Sequence, residues 1–247
     1  MNQKDTMSAL PTGTVTFLFT DIEGSTNLWE EFPEAMKAAL AKHDSILKEA
    51  VESNHGQIVK TTGDGIHAVF TTAIDAINAA IQSQHKLNSL ILNYELPITN
   101  LQSPISSLSL KSRMGLHAGE AELREGDYFG QTLNRAARIM SAGHGGQILI
   151  SDIVAQVASE HLSAGVSFLE LGEHYLKGVV QAEKIYQIVA LNLQKDFPPL
   201  NSIPTATNNL PTQLTSFIGR ERELNDASEK LESAKLLTLI GPGGTGK

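Results

Sequence analysis

The chain has 247 residues, of which 41% are apolar and 19% charged, and its formal net charge is −8. This composition is ordinary for a globular protein, and the length allows one or two domains. The absence of cysteine excludes disulfides and thiolate metal sites, and the acidic balance argues against broad nucleic-acid binding.

The N-terminal segment has no apolar stretch of the kind that a signal peptide contains. No apolar run approaches the roughly 18 residues that a membrane-spanning helix needs. We therefore predict a cytoplasmic protein with neither a membrane nor a nucleic acid as its partner.

Strand-like and helix-like patterns alternate along the chain. Residues 14–20 are β-branched and aromatic, which predicts a buried strand that ends at Asp21. From Pro33 onwards, apolar residues recur every three or four positions, which predicts a helix over 33–53. The further predicted elements are strands at 57–62 and 66–70 joined by a Gly-Asp-Gly turn, a helix at 72–92, a surface loop at 93–110, a strand at 112–119, a helix at 131–141, and strands at 147–150, 166–171 and 183–190.

This order is roughly β-α-β-β-α-β with additions. It predicts an α+β fold of the ferredoxin-like, split βαβ type, with a mixed, mainly antiparallel sheet covered by helices. Residues 193–215 concentrate Pro, Asn and Thr without periodicity, which is typical of a linker. The predicted domains are therefore a first domain over 12–192, a linker over 193–215, and the start of a second domain over 216–247.

Two aspartates are candidate metal ligands. Asp21 follows a buried strand, and Asp64 lies at a hairpin tip, so pairing of the two strands would bring both carboxylates to one edge of the sheet. A divalent cation relieves the repulsion between two such carboxylates. The alternative is backbone chemistry alone, because Asp is also common at strand ends and in Asp-Gly turns.

Other polar residues leave similar alternatives open. Lys60 lies in a predicted strand and, by itself, is typical of a solvated edge lysine. Asn134 and Arg138 share one face of a predicted helix, where a guanidinium can bind a phosphate, although most helix arginines are simply solvated. The eight histidines show no metal-ligand spacing, and we interpret them as structural.

Four segments in order, across roughly residues 12–191, give these residues a common context. They are FLFTDIEGST, KTTGDGIHAVF, GDYFGQTLNRAARI and a later LKG. In this combination the chain resembles the class III nucleotidyl cyclases, the adenylate and guanylate cyclases. The resemblance implies a cyclase fold and a head-to-tail homodimer in which each site draws residues from both subunits.

The resemblance also implies a role for each matching position. Asp21 and Asp64, with the Ile22 carbonyl, would bind two Mg²⁺ or Mn²⁺ ions per site. Lys60 and Asp127 would read the purine edge.

On the sugar and phosphate side, the resemblance implies three further roles. Asn134 would orient the ribose, Arg138 would stabilise the pentavalent phosphorus, and Lys177 would bind the terminal phosphates.

Base selection follows from the chemistry of the implied pair. Lys60 can donate to the ring-nitrogen acceptor of adenine, and Asp127 can accept from its exocyclic amino group. Guanine reverses this pattern, so the prediction is an adenylate cyclase that converts ATP to cyclic AMP and pyrophosphate. Alternatives are a guanylate cyclase and a silent ATP-binding regulatory module. A diguanylate cyclase is disfavoured because the hairpin reads Thr-Gly-Asp-Gly rather than Gly-Gly-acidic-acidic-Phe.

The C-terminal segment holds a further motif. Gly241, Gly246 and Lys247 fit the glycine-rich loop of a P-loop after the strand-like LLTLI, although the Ser or Thr and the helix that would follow are absent. The segment resembles the start of a signalling ATPase. This predicts that the full-length chain carries an ATPase and further regulatory domains as partners of the cyclase.

Overall fold

The computed structural model divides the chain into two units, Met1–Ala206 and Thr207–Lys247. Within the second unit, the described residues are a helical segment at 225–230 and residues 237–238. The structure as a whole describes residues 10–90, 92–94, 106–108, 110–179, 181–204, 225–230 and 237–238, without the side chains of 92–94, 106–108 and 203–204.

The described part of the first unit contains an eight-stranded sheet and two separate strand pairs. The strands are β1 Thr14–Ile22, β2 Gln57–Thr62, β3 Gly65–Phe70, β4 Leu92–Tyr94, β5 Ser106–Leu108, β6 Ser112–Glu120, β7 Glu122–Arg124, β8 Asp127–Phe129, β9 Ile148–Ser151, β10 Ser167–Tyr175, β11 Glu183–Val189 and β12 Ile203–Pro204. The sheet order is β12-β10-β11-β9-β6-β1-β3-β2, with β4–β5 and β7–β8 as the separate pairs. All neighbours in the sheet are antiparallel except β6 and β9, which confirms the predicted mixed, mainly antiparallel sheet.

Five helices of this unit are described. They are α1 Ser25–Glu31, α2 Pro33–Ser53, α3 Ala73–Asn88, α4 Gln131–Ala142 and α5 Asp152–Ala158, the last followed by a 3₁₀ turn at Ser159–His161. Pro33 occupies the first turn of α2, as predicted. Thr72 caps α3 by accepting a hydrogen bond from the Asp75 amide at 3.2 Å, and this helix ends at Asn88 rather than at the predicted residue 92.

Helices cover both faces of the sheet because successive side chains of a strand point to opposite sides. On β1, Leu18 packs against Leu47 of α2 and Ile77 of α3. Phe17 faces the other way and packs against Ala136 of α4. The sheet is therefore the middle layer of an α+β fold. Of the five described helices, α4 alone covers the face on which Phe17 lies, and the candidate site is on this same face.

A glycine on β6 allows α4 to lie close to the sheet. A Cβ atom built on Gly115 would stand 2.3 Å from the backbone nitrogen of Met140, which is closer than real contacts allow. The height of α4 over the sheet, and with it the position of Asn134 and Arg138, depends on this close approach.

Several elements were not predicted from the sequence. Helix α1 has no side-chain cap and no buried residue, so it carries neither of the two signals that mark a helix. In the β7–β8 turn, Glu125 and Gly126 have φ angles of 50° and 81°. The usual sequence signal for such a hairpin turn is Asn-Gly or Asp-Gly, and this turn has Glu-Gly instead. The predicted loop at 93–110 is corrected in part, because β4 and β5 pair across it.

The described part of the predicted linker packs on the first unit. The Asn201 amide donates to the Ala142 carbonyl at 2.8 Å, and β12 pairs with β10. Leu200 packs against a cluster that contains Ile139 and Leu149. The last residues that pack on the sheet therefore lie beyond the predicted domain boundary at 192.

Each helix among the described residues is too short or too polar to span a lipid bilayer. The P-loop residues Gly241, Gly246 and Lys247 lie outside the described residues. The predicted ATPase segment therefore stays a prediction.

Candidate active site

Asp21 and Asp64 are neighbours in the structure. β1 pairs with β3, so the turn before β3 that carries Asp64 lies beside the end of β1 that carries Asp21. Burial raises the pKa of the Asp21 carboxyl above its ordinary value, hydrogen bonds from Arg113 oppose this, and the charge of Asp64 raises the pKa further. The geometry thus brings the two predicted carboxylates together.

Arg113 on β6 is the third charged group of this cluster. It lies directly across from Asp21 in the β1–β6 register. Its Nε donates to Asp21 Oδ2 at 2.8 Å, and its Nη2 donates to the same oxygen. Nη1 lies 3.5 Å from the Ser141 carbonyl at the end of α4. The sequence shows an arginine in a buried strand, but its partner follows only from the register.

The residues present fit a divalent cation. Asp64 Oδ2 is buried and has no hydrogen-bond partner among the described residues, which is costly for a carboxylate unless another group, such as a cation, contacts it. The turn is pressed against β1, since a Cβ on Gly65 would lie 1.8 Å from the Thr20 carbonyl oxygen. The Ile22 side chain is fully buried in a cluster with Met36, which fixes the backbone at the position of the implied carbonyl ligand.

No group of three or more His, Cys, Asp or Glu side chains that could hold a metal occurs within the described ranges. Two carboxylates and a carbonyl are nevertheless an adequate protein contribution for Mg²⁺. This ion retains several waters and is commonly completed by substrate phosphates.

A cavity of about 550 Å³ contains the predicted base-reading pair. Lys60 Nζ donates to Asp127 Oδ2 at 2.6 Å, and Asp127 Oδ1 accepts from the Tyr128 amide at 2.8 Å. The hydrogen bond from Lys60 lowers the pKa of Asp127. Both side chains are partly exposed, so a ligand can reach the donor and the acceptor from the cavity.

Helix α4 presents Asn134 and Arg138 on its exposed side, while Ala136 and Ile139 are buried against the sheet. Neither of the two exposed side chains has a hydrogen bond or an ion pair with another described residue. The intervening Arg135 instead pairs with Glu183 at 3.7 Å. The Arg138 guanidinium is therefore available to an external anion.

A second cavity, of about 490 Å³, leads from α4 to the turn after β10. Asn134 lines both this cavity and the first one, and Gly178 lines the second. Lys177, next to Gly178, is exposed. Asn134 is thus a lining residue of both the cavity that contains the Lys60–Asp127 pair and the cavity beside the Lys177 turn.

The predicted site residues fall into two sets. The first is the metal set, Asp21, Ile22 and Asp64. The second is the substrate set, Lys60, Asp127, Asn134, Arg138 and Lys177. Among the described residues, no hydrogen bond or ion pair joins one set to the other.

His67 and Phe19 line the first cavity, although the sequence did not single them out for the site. His67 was interpreted as structural along with the other histidines. A signal was present in the KTTGDGIHAVF segment, because His67 lies where a strand that is otherwise apolar would place an apolar residue.

Comparison with known proteins places this arrangement in context. The family model of the adenylate and guanylate cyclase catalytic domain matches residues 7–190. An uncharacterised protein of Mycobacterium tuberculosis is 35% identical over 219 residues, covering 87% of this chain and 70% of that protein. An adenylate cyclase of Podospora anserina is 35% identical over 161 residues, covering 60% of this chain but only 8% of that protein.

Solved structures share the fold. An adenylate cyclase of Trypanosoma brucei, solved in its monomeric state, is 26% identical with a TM-score of 0.63, covering 78% of this chain and 95% of that chain. An adenylate/guanylate cyclase/hydrolase from Silicibacter pomeroyi is 28% identical with a TM-score of 0.58, covering 71% and 96% respectively. The likeness therefore extends over nearly the whole of each compared structure.

Proposed function

Because the chain belongs to the adenylate and guanylate cyclase catalytic domain family, we propose that it is an adenylate cyclase. In this reaction the 3′-hydroxyl oxygen of ATP bonds to the α-phosphorus while the bond from that phosphorus to pyrophosphate breaks, and the hydroxyl proton is released. The observation that carries the proposal is the Lys60–Asp127 pair in a cavity that Asn134 also lines.

Asp21, Asp64 and the Ile22 carbonyl would hold two Mg²⁺ or Mn²⁺ ions. When bound, such ions lower the pKa of the attacking hydroxyl and offset the phosphate charge. The chain's own part is to supply two adjacent carboxylates on a fixed backbone, one of them with a buried oxygen that accepts no hydrogen bond from a described residue.

The exposed cation on α4 suits the transition state. Negative charge grows on the phosphate oxygens as the phosphorus becomes pentavalent, and a preorganised guanidinium at Arg138 would stabilise that charge. Lys177 would bind the terminal phosphates, and Asn134, which lines both cavities, would orient the ribose.

The base cavity favours adenine. Lys60 would donate to N1 and Asp127 would accept from the 6-amino group. When adenine binds, the ion pair between the two side chains would break, but Lys60 would still act as a donor and Asp127 as an acceptor. Guanine offers a protonated N1 and a 6-oxo group, which would set donor against donor and acceptor against acceptor. Unpaired polar groups of this kind discriminate strongly between substrates.

A homodimer would join the two sets of residues. In a head-to-tail two-fold dimer, the metal set of one subunit faces the substrate set of its partner, and two equivalent sites form. This arrangement is supported by the lack of any hydrogen bond or ion pair between the two sets among the described residues.

The test is product formation by the purified chain with ATP or GTP and Mg²⁺ or Mn²⁺, with the nucleotides separated by chromatography. We expect cyclic AMP from the unaltered chain and from Glu160→Gln, an exposed carboxylate outside the site. We expect none from Asp64→Asn, which removes one charge without changing the shape. Cyclic GMP as the main product would refute the base assignment, and no cyclic product under any condition would refute the enzyme.

A further inference from the structure

Arg135 is a cation of α4 to which the proposed function gives no role. It follows Asn134 in the chain and lines the cavity of about 490 Å³ beside the Lys177 turn. Its side chain is 32% exposed, so a group in that cavity can reach the guanidinium. The other described residues that line the cavity are uncharged, namely Gln131, Asn134, Gly178, Val179 and Gln181. The cavity therefore has a positively charged wall in a chain whose net charge is −8.

The guanidinium of Arg135 has hydrogen-bonding capacity to spare. Its contact with Glu183 joins Nη1 and Oε2 at 3.7 Å, which is within ion-pair range but too long for a hydrogen bond. The group carries several N–H donors, and none of them makes a hydrogen bond with another described residue. A guanidinium with open donors at a cavity wall is suited to an anion that offers several oxygens.

The start of α4 adds to the positive character of this cavity. The helix begins at Gln131, its N-cap Gly130 supplies no side-chain hydrogen bond, and its first turn holds no acidic residue. The first amide groups of a helix carry a partial positive charge that favours anions. Because Gln131 lines the cavity, this partial charge and Arg135 border the same space.

We propose that Arg135 is a second cation for the terminal phosphates of the nucleotide and binds them together with Lys177. This rests on the proposed function, in which Asn134 orients the ribose and Lys177 binds the same phosphates. Asn134, Arg135 and Gly178, the neighbour of Lys177, all line one cavity, so a triphosphate that extends from the ribose towards Lys177 would pass the guanidinium. On binding, the long contact with Glu183 gives way to paired hydrogen bonds with phosphate oxygens.

The alternative is that Arg135 only balances the charge of Glu183. The Glu183 side chain is 11% exposed, and a carboxylate at that depth is destabilising without a nearby cation. Replacing Arg135 alone would leave this negative charge unbalanced and would repel phosphates indirectly. The test therefore removes the carboxylate first, as Glu183→Gln, and compares that variant with the double variant Arg135→Met/Glu183→Gln.

The experiment measures the binding of 3′-deoxy-ATP and 3′-deoxy-AMP to the whole chain in the presence of Mg²⁺. These nucleotides lack the attacking hydroxyl, so neither is consumed, and only the first carries the terminal phosphates. Titration calorimetry gives both dissociation constants, the weaker ligand being measured by displacement of the stronger.

Between Glu183→Gln and the double variant, we expect the affinity for 3′-deoxy-ATP to fall about tenfold. This is the lower end of the range for a hydrogen bond to a charged group, as suits a cavity open to water. The affinity for 3′-deoxy-AMP should stay the same, because it has no phosphate that reaches Arg135. An equal loss for both nucleotides, or no loss for 3′-deoxy-ATP, overturns the proposal.

The matched control is a neighbouring ion pair of β11. Lys184 pairs with Glu170 at 3.0 Å and does not line the cavity. The change from Glu170→Gln to Lys184→Met/Glu170→Gln removes one positive charge in the same way, and it should leave both affinities unchanged. The same loss in this control would show a general effect of charge and would also overturn the proposal.

Arg135→Lys serves if the double variant does not fold. It keeps a positive charge opposite Glu183 but replaces the planar fork with a single ammonium group. We expect a smaller loss of affinity, about threefold, again for 3′-deoxy-ATP alone. An affinity equal to that of the unaltered chain contradicts the phosphate contact.

These binding measurements separate the proposal from the cyclase activity. A chain that shows the loss specific to 3′-deoxy-ATP but makes no cyclic product from ATP would refute the cyclase and leave the Arg135 contact standing. A chain that makes cyclic AMP without this loss would refute the Arg135 contact and leave the cyclase standing. A chain that binds neither nucleotide refutes both.

Discussion

Arg113 donates two hydrogen bonds to one oxygen of Asp21 and thereby balances part of the charge that Asp21 and Asp64 bring together. The side chains of Arg113 and Asp21 are each 25% exposed. A charged hydrogen bond in this half-buried setting is stronger than a surface ion pair. Arg113 is therefore a positioning residue for the carboxylate that would bind the cation.

Replacing Arg113 with methionine should lower the free energy of unfolding by about 1–2 kcal/mol, since Asp21 loses its donor while remaining half-buried. Urea unfolding in the presence of a chelator measures this loss. Mn²⁺ should stabilise Arg113→Met more than the unaltered chain, because the ion replaces the missing positive charge. Arg124→Met, which breaks an exposed pair with Glu122, should leave stability unchanged. Equal stability of Arg113→Met and the unaltered chain would contradict the positioning role.

His117 should make the fold sensitive to acid. Burial, and secondarily the charge of Arg135, lowers its pKa from 6.5 to about 4. The folded ring stays neutral between these values while the unfolded ring takes up a proton, so the stability that His117 contributes is present above pH 6.5 and is lost towards pH 4.

In His117→Leu, the stability lost between pH 7 and 4.5 should be smaller than in the unaltered chain by about 2 kcal/mol. Urea unfolding at both pH values measures the difference. His161→Leu, an exposed histidine, is the control and should keep the original pH dependence. An unchanged loss in His117→Leu would show that the ring is not held neutral in the fold.

At the scale of elements, α4 links the fold to the site. Its buried residues fix it on the sheet, and its exposed residues Asn134 and Arg138 reach the cavities and the solvent. Gly115 sets its distance from β6. A helix displaced from the sheet would carry both side chains away from their places in the proposed site.

We therefore expect Gly115→Ala to lower the free energy of unfolding by about 1–3 kcal/mol, the usual effect of forcing an extra carbon into a packed contact. Cyclase kcat/KM should fall with it. Gly119→Ala on the same strand is the control, since its Cβ would meet only the Thr132 side chain, at 3.1 Å. Equal effects of the two substitutions would contradict the role given to Gly115.

Elements with strong local patterns could be predicted from the sequence. The β-branched run of β1 and the proline at the start of α2 define those elements without help from the rest of the chain. Helix α1 and the β7–β8 hairpin could not be predicted, because one lacks a cap and the other turns at a Glu-Gly pair.

The site shows the same division. The positions of Asp21 after a strand and Asp64 in a turn made it possible to predict that the two carboxylates lie together. The metal site that they would form stays a prediction. Arg113 and His67 could not be assigned, because their partners depend on strand register and on which side chains a cavity brings together.

At the scale of the whole molecule, residues 190–204, the described residues that follow β11, belong to the first unit. His144 Nε2 contacts the Pro199 carbonyl at 3.0 Å, and its Nδ1 lies 3.7 Å from Glu23, which follows the metal set. The segment thus contacts a loop that touches the chain next to Asp21.

Truncation tests where the unit ends. A chain ending at Ala206 should melt at the temperature of the whole chain, whereas one ending at Gln194 should melt about 4–8 °C lower, because it loses about 2 kcal/mol of contacts through Phe197 and Leu200. Differential scanning calorimetry makes the comparison. Equal melting temperatures would show that residues 195–204 are a linker, as the sequence predicted. The P-loop at Gly241–Lys247 stays a prediction.

The most direct test of the composite cyclase site mixes two inactive variants and measures cyclic AMP. Asp64→Asn should disable the metal set and Arg138→Ala the substrate set, so each alone should be nearly inactive. In a head-to-tail heterodimer, one of the two sites combines the intact metal set of one subunit with the intact substrate set of its partner. After equal mixing and subunit exchange, we expect about a quarter of the unaltered activity, since half of the dimers are mixed and each has one intact site. No recovery in samples shown to contain mixed dimers would contradict a site shared between subunits.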